Sequence, residues 1–168
     1  MTHMSGTRYH TTIPSPVGDL IVAGDGDAVT GVGFAARGAR RGFVVDDGWV
    51  EAAAPLADVT GQLAAYFAGE LQEFDLDLRP AGTAFQRRVW EAVGAIPYGA
   101  TATYGELAAL LGRPSAARAV GAANGANPLA IVIPCHRVLG ADRSLTGYGG
   151  GLDAKRFLLG LESGASGA

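Results

Sequence analysis

The chain has 168 residues, 48% of them apolar and 17% charged, enough to pack one compact domain or two small ones and too apolar for wholesale disorder. Its single cysteine, Cys135, excludes an internal disulfide and a multi-cysteine zinc cage, and no apolar run reaches the roughly 18 residues of a membrane span. The net charge of −3 averages two unlike halves: residues 1–80 carry 5 basic and 11 acidic side chains, residues 81–168 carry 8 and 5. An acidic module joined to a basic one is expected, with only the second suited to a polyanion. Residues 1–18 hold no apolar block behind basic residues, so a cytoplasmic protein is expected.

In chain order, Tyr9–Ile13 and Asp19–Ala23 flank the turn Pro14-Ser15-Pro16-Val17-Gly18 and read as a hairpin. Val29–Phe34 reads as a third strand, and Arg37–Gly48 as a loop or a poorly packed helix. Leu56, Val59, Leu63, Tyr66 and Phe67 recur at helical spacing across Pro55–Ala68, closed by Gly69. Phe74, Leu76 and Leu78 alternate with charged residues, as in a half-buried strand. Pro80-Ala81-Gly82 marks the boundary, giving an N-terminal α/β domain over 1–80 with an antiparallel sheet and a C-terminal domain over 81–168.

The second module reads as mostly helical. Thr83 caps a helix carrying Phe85, Val89, Val93 and Ile96, which Pro97-Tyr98-Gly99 ends. Thr103 precedes a short helix with Leu107, Leu110 and Leu111; Gly112-Arg113-Pro114 turns the chain, and Ser115 opens a helix over Ala116–Asn124. Two short helices across a tight Gly/Pro turn form the helix-turn-helix pattern. Arg118, Gly121 with Ala122, and Gly125 share one face of the second helix, which is bare apart from the arginine. Major-groove readers carry several long polar side chains, whereas a bare face lets backbone approach a narrow minor groove. Tight packing inside the protein accounts for the same small residues equally well.

Leu129–Ile133 is an apolar run and is expected to be a buried strand or extended segment that delivers Pro134-Cys135-His136-Arg137-Val138. A lone intracellular cysteine is ordinarily a small buried hydrophobe. Here a histidine and an arginine follow directly, and such neighbours lower a thiol's pKa and favour the reactive thiolate. Side chains adjacent on extended backbone diverge, so His136 would reach Cys135 through a turn or a bridging water. Glu162, at the end of the apolar helix Phe157–Leu161, is a candidate for orienting the imidazole. The glycine-rich stretch around Tyr148 can enclose a flat ligand or be a plain loop.

These residues resemble the O6-alkylguanine-DNA alkyltransferase family. The likeness rests on Pro134-Cys135-His136-Arg137-Val138, supported by Arg118-Ala119-Val120-Gly121, Asn127-Pro128, Gly147-Tyr148-Gly149-Gly150, and Ile96-Pro97-Tyr98-Gly99 with Thr103-Tyr104. It implies an α+β fold whose C-terminal module is winged-helix-like, and a suicide repair reaction without cofactor or metal, in which Cys135 takes the alkyl group from guanine O6 and keeps it. By the same resemblance His136 accepts the thiol proton through a water and Glu162 holds the far imidazole nitrogen. Tyr104 protonates or hydrogen-bonds guanine N3, and Asn127 is a hinge. The carbonyls of Cys135 and Val138 receive the guanine amino group, the Gly149 amide faces O6, and Tyr148 walls the pocket. Arg118 fills the place of the flipped base, while Ala117, Gly121, Ala122 and Gly125 lie along the minor groove. The implied partner is double-stranded DNA carrying O6-alkylguanine, bound by a monomer that can cluster along it, with no membrane. O4-alkylthymine is a further candidate substrate. The alternative is a helix-turn-helix regulator or damage sensor without covalent chemistry, and a thiol hydrolase using Cys135 and His136 is a third.

Overall fold

The early strands put Leu20, Val22, Ala23, Val29 and Val32 in the core and leave Ile21, Thr30 and Phe34 half-buried. In the computed structural model, which describes residues 6–35, 43–145, 147–148 and 150–164, Tyr9–Ile13 (β1), Leu20–Gly24 (β2), Val29–Phe34 (β3) and Val50–Glu51 (β4) form one sheet. Its order is β3-β2-β1-β4; the β1–β2 and β2–β3 pairs are antiparallel, and β4 runs parallel to β1. The hairpin turn closes where Gly18 (φ +101°) donates its N–H to the Ser15 carbonyl at 3.0 Å. Leu20, Val22 and Val32 face a core completed by Ala57–Phe67 (α1), which buries Val59, Leu63 and Tyr66 at i, i+4 and i+7. Gly69 ends α1 in the left-handed conformation, its N–H bonding back to Tyr66, as an ordinary glycine stop does.

One expectation in this unit needs correction. Phe74 and Leu76 are half-buried between exposed neighbours, but Leu78 is exposed and these residues form no strand; a single bridge joins Leu78 to Val29. The cause lies on α1: the Gln62 side chain donates to the Asp75 carbonyl at 3.0 Å and accepts from its N–H at 2.8 Å, diverting both groups from a ladder. The stretch expected as loop falls partly outside the described residues at 36–42, and β4 follows it as a strand too short to carry a periodic signal.

The chain divides into two units, residues 1–80 and 81–168. In the second, Ala84–Gly94 (α2) begins with a capping box in which Thr83 accepts from the Gln86 N–H while the Gln86 side chain accepts from the Thr83 N–H. Tyr104–Leu110 (α3) repeats the device with Thr103 and Glu106. Gly112 (φ +77°) turns the chain toward Ala117–Gly125 (α4), making the helix-turn-helix. Ser115 does not cap α4; Ala116 precedes it without a side-chain cap. Leu110 is 71% exposed, so the buried stripe of α3 runs through Leu107 and Ala108 instead. Ala102–Thr103 (β5) pairs in parallel with Val138–Leu139 (β6), and Leu152–Ser163 (α5) closes the unit. The whole is an α+β chain, an antiparallel sheet unit followed by a helical one. Among the described residues no helix is long and apolar enough to cross a membrane.

Candidate active site

The apolar run at 129–133 is buried, as its composition requires, but it is a tight turn and not a strand. The Ile133 N–H bonds to Leu129 O and the Val132 N–H to Ala130 O, each at 2.8 Å, and Ile131 sits at φ +73°. Positive φ is costly for a β-branched residue, so other contacts must hold it. Asn127 supplies two of them: its Nδ2 donates to Ile133 O at 2.8 Å and its Oδ1 accepts from Leu129 N at 2.9 Å. The same side chain hydrogen-bonds the Cys135 thiol in the sense that favours thiolate.

The turn delivers Cys135–Arg137 as one turn of 3₁₀ helix, with all three side chains buried. Burial pushes the Cys135 thiol above its ordinary pKa; Asn127 and the Lys155 charge oppose this without overcoming it. The sequence expectation of a lowered thiol pKa is thus reversed by desolvation, the larger effect. His136 is fully buried, and burial lowers its pKa against the opposing pull of Glu162. The ring is therefore a neutral imidazole at neutral pH, its Nε2 lying 2.7 Å from Glu162 Oε2. Its Nδ1 has no hydrogen-bond partner among the described residues. The Tyr148 ring stands edge-on to the imidazole at 6.5 Å, half-buried, and Gly149 lies outside the described residues.

Three polar residues here make contacts that the sequence reading did not assign. Arg137 grips Glu162 with a fork, Nε to Oε1 at 2.7 Å and Nη2 to Oε2 at 2.9 Å. Its Nη1 donates to Ile96 O at 2.6 Å, and its guanidinium lies 5.7 Å from the Tyr98 ring centre. Lys155, the chain's only lysine, is fully buried and donates to the Val138 carbonyl at 2.7 Å; burial lowers its pKa. Its position was legible, because Lys155, Leu158 and Glu162 share the buried face of α5 at i, i+3 and i+7. Asn124, buried on α4, reaches the Cys135 carbonyl with Nδ2 at 3.4 Å. That carbonyl also accepts from the Val138 N–H, so both carbonyls expected to receive a guanine amino group already have protein donors.

On the helix-turn-helix, Val120, Ala123 and Asn124 point inward, whereas Arg118, Ala122 and Gly125 are exposed and Ala117 and Gly121 half-buried. Internal packing therefore does not account for the bare face, except at Gly121. There a Cβ would stand 3.7 Å from the half-buried Tyr104 ring. Arg118 makes no hydrogen bond or ion pair to the described residues. Thus Cys135, His136, Glu162, Asn127, Val138 and Tyr148 form one cluster, while Tyr104 and Arg118 belong to the helix-turn-helix. No group of three His, Cys, Asp or Glu that could hold a metal occurs among the described residues.

Comparison with known proteins covers both units. Residues 8–80 match the family model described as the ribonuclease-like domain of 6-O-methylguanine DNA methyltransferase, and residues 84–164 match that of its DNA binding domain. A methylated-DNA–protein-cysteine methyltransferase of Methanosarcina acetivorans is 51% identical over 154 residues, covering 92% of this chain and 97% of that protein. One from Mycolicibacterium paratuberculosis is 52% identical over 91% of each. A crystal structure of Mycobacterium tuberculosis OGT in complex with DNA superposes with a TM-score of 0.84 at 50% identity, covering 92% of each chain. With both halves matched in order, the chain belongs to the 6-O-methylguanine DNA methyltransferase family.

Proposed function

We propose that this protein repairs DNA by moving the alkyl group of O6-alkylguanine irreversibly onto Cys135, once per molecule. The observation that carries the reading is the lone cysteine beside a buried neutral imidazole whose far nitrogen Glu162 holds at 2.7 Å. Family membership supplies the substrate class. The Cys135 proton passes through water to His136 Nδ1, and sulfur attacks the alkyl carbon. The S–C bond forms as the C–O6 bond breaks, and the electron pair leaves with guanine. Tyr104 gives that base a proton at N3 and recovers one from the imidazolium through solvent, so the thiol proton ends on guanine. A resting thiol rather than thiolate makes this base necessary, since burial keeps the proton on sulfur.

DNA is bound through the minor groove by the exposed face of α4, with Arg118 replacing the flipped base in the stack. Ala117, Gly121, Ala122 and Gly125 keep that face low enough for backbone to approach the sugar-phosphate walls. Affinity rests on phosphate contacts and falls with salt. Val138 O and Tyr148 line the base pocket, and Asn127 ties α4 to the reactive turn. The basic unit over 81–168 does this work in the cytoplasm, and the unit over 1–80 is its scaffold.

Intact mass spectrometry after incubation with O6-methylguanine duplex tests the reading. A stoichiometric gain of one methyl in place of hydrogen on the Cys135 peptide is expected, absent in Cys135→Ala. An unmodified Cys135 with sustained DNA binding would instead favour a sensor, and many turnovers per molecule a hydrolase.

A further inference from the structure

Glu162 serves two partners at once. Its Oε2 meets both His136 Nε2 at 2.7 Å and Arg137 Nη2 at 2.9 Å, while Oε1 takes Arg137 Nε at 2.7 Å. A guanidinium has only donors and does not lose its proton in proteins, so a carboxylate gripped by its fork is an acceptor toward every neighbour. The imidazole must then place its hydrogen on Nε2, which leaves the Nδ1 lone pair open. That nitrogen is the one with no partner among the described residues.

We propose that Arg137 is a positioning residue for alkyl transfer: by neutralising Glu162 through a fixed fork, it holds His136 as the neutral Nε2–H tautomer that can accept the Cys135 proton. The idea rests on the transfer reading above and adds to it a residue that touches neither sulfur nor base. Charge explains why a lone Glu162 would not do. A buried carboxylate with no other cation in contact draws a second proton onto the imidazole, and an imidazolium is no base. If Glu162 took the proton itself it would donate to Nε2, forcing the hydrogen onto Nδ1. Either outcome removes the lone pair.

The other groups around the ring do not replace Arg137. From α5, Lys155 and Glu162 face it; from its own turn, Cys135 and Arg137; from the loop after β6, the Tyr148 ring. Tyr98, ahead of β5, lies against the Arg137–Glu162 pair. Lys155 adds positive charge to the surroundings of the ring, but its ammonium donates to Val138 O. Arg137 is also braced from behind, by Ile96 O at 2.6 Å, so the fork cannot rotate away from the carboxylate without losing that bond.

Nitrogen-15 chemical shifts of His136 across pH decide the matter in the full-length protein. In the wild type the ring is expected to be neutral with hydrogen on Nε2 at neutral pH, since burial keeps its pKa below the ordinary histidine value. In Arg137→Gln, either the midpoint rises by about one unit or more, or the hydrogen moves to Nδ1; a one-unit rise lowers transfer about tenfold at pH values well below the new midpoint. Arg137→Lys, which restores the charge without the fork, is expected to keep the wild-type midpoint more nearly than Arg137→Gln. An unchanged His136 titration in a folded Arg137→Gln protein that has lost transfer uniformly at every pH would overturn the proposal and leave the transfer reading standing. Should that variant not fold, the wild-type spectrum still judges it: an imidazolium, or hydrogen on Nδ1, at neutral pH overturns it. Failure of wild-type Cys135 to take up the methyl group would be a separate result, against the transfer reading itself.

Discussion

Among the described residues, the first unit buries one polar side chain, Thr11, in a core of Leu20, Val22, Val32, Leu63 and Tyr66, whereas the second buries Thr103, Asn124, His136, Arg137, Lys155 and Glu162. Burying charge is expensive unless each group is paired and hydrogen-bonded. The first unit avoids that cost; the second accepts it around a single cysteine. A buried ionic cluster is a weak way to gain stability, so its presence in one unit only points to chemistry there and to support in the other.

The contrast can be broken by making similar cuts on both sides. Glu162→Ala removes the shared acceptor and leaves Arg137 and His136 facing each other without it. A loss of about 3–5 kcal/mol in urea unfolding is expected, together with loss of transfer. Leu63→Ala opens a cavity in the first core and is expected to cost about 3 kcal/mol by the same measurement. Each folded molecule should nevertheless accept one alkyl group. If it does not, the first unit is more than support. The smallest effect is in acid: His136 binds a proton less readily folded than unfolded, so stability is intact above the ordinary histidine range and falls as pH drops below about 6.5, by at most about 1.4 kcal/mol per pH unit. Thermal melts of the wild type and His136→Gln over that range should diverge at high pH and converge in acid.

Local patterns carried much of the architecture. Thr83 and Thr103 marked helix starts correctly because an N-cap is a local signal; the Gln86 and Glu106 side chains that complete each box emerged only in the structure. The hairpin and α1 were legible for the same reason: their periodicity and their turns are local. What failed depends on side-chain partners outside the pattern being read. Residues 74–78 alternate like a strand, yet a glutamine 13 residues upstream took the backbone groups of Asp75. Residues 129–133 are apolar enough for a strand, but Asn127 folds them into a turn. In the site, Cys135, His136 and Glu162 were readable from residue type and order. The direction of the thiol's pKa was not, because adjacent cations are visible in a sequence and desolvation is not. Lys155 was overlooked, and Arg137 was read only as a neighbour of the thiol and not as the partner of Glu162, because charged residues are presumed to face water, although helical spacing placed Lys155 on the buried stripe.

A reagent consumed in its only reaction must discriminate before the bond forms, since nothing afterwards can correct an error. The depth of Cys135 provides that discrimination. At 7% exposure and with its proton held on sulfur by burial, the thiol offers little to oxidants or to small electrophiles in passing. On the proposed mechanism, only a group presented to sulfur while the imidazole takes the proton meets a competent nucleophile. Concealment thus acts as chemoselectivity: the protein is kept unspent by the same burial that makes its base indispensable.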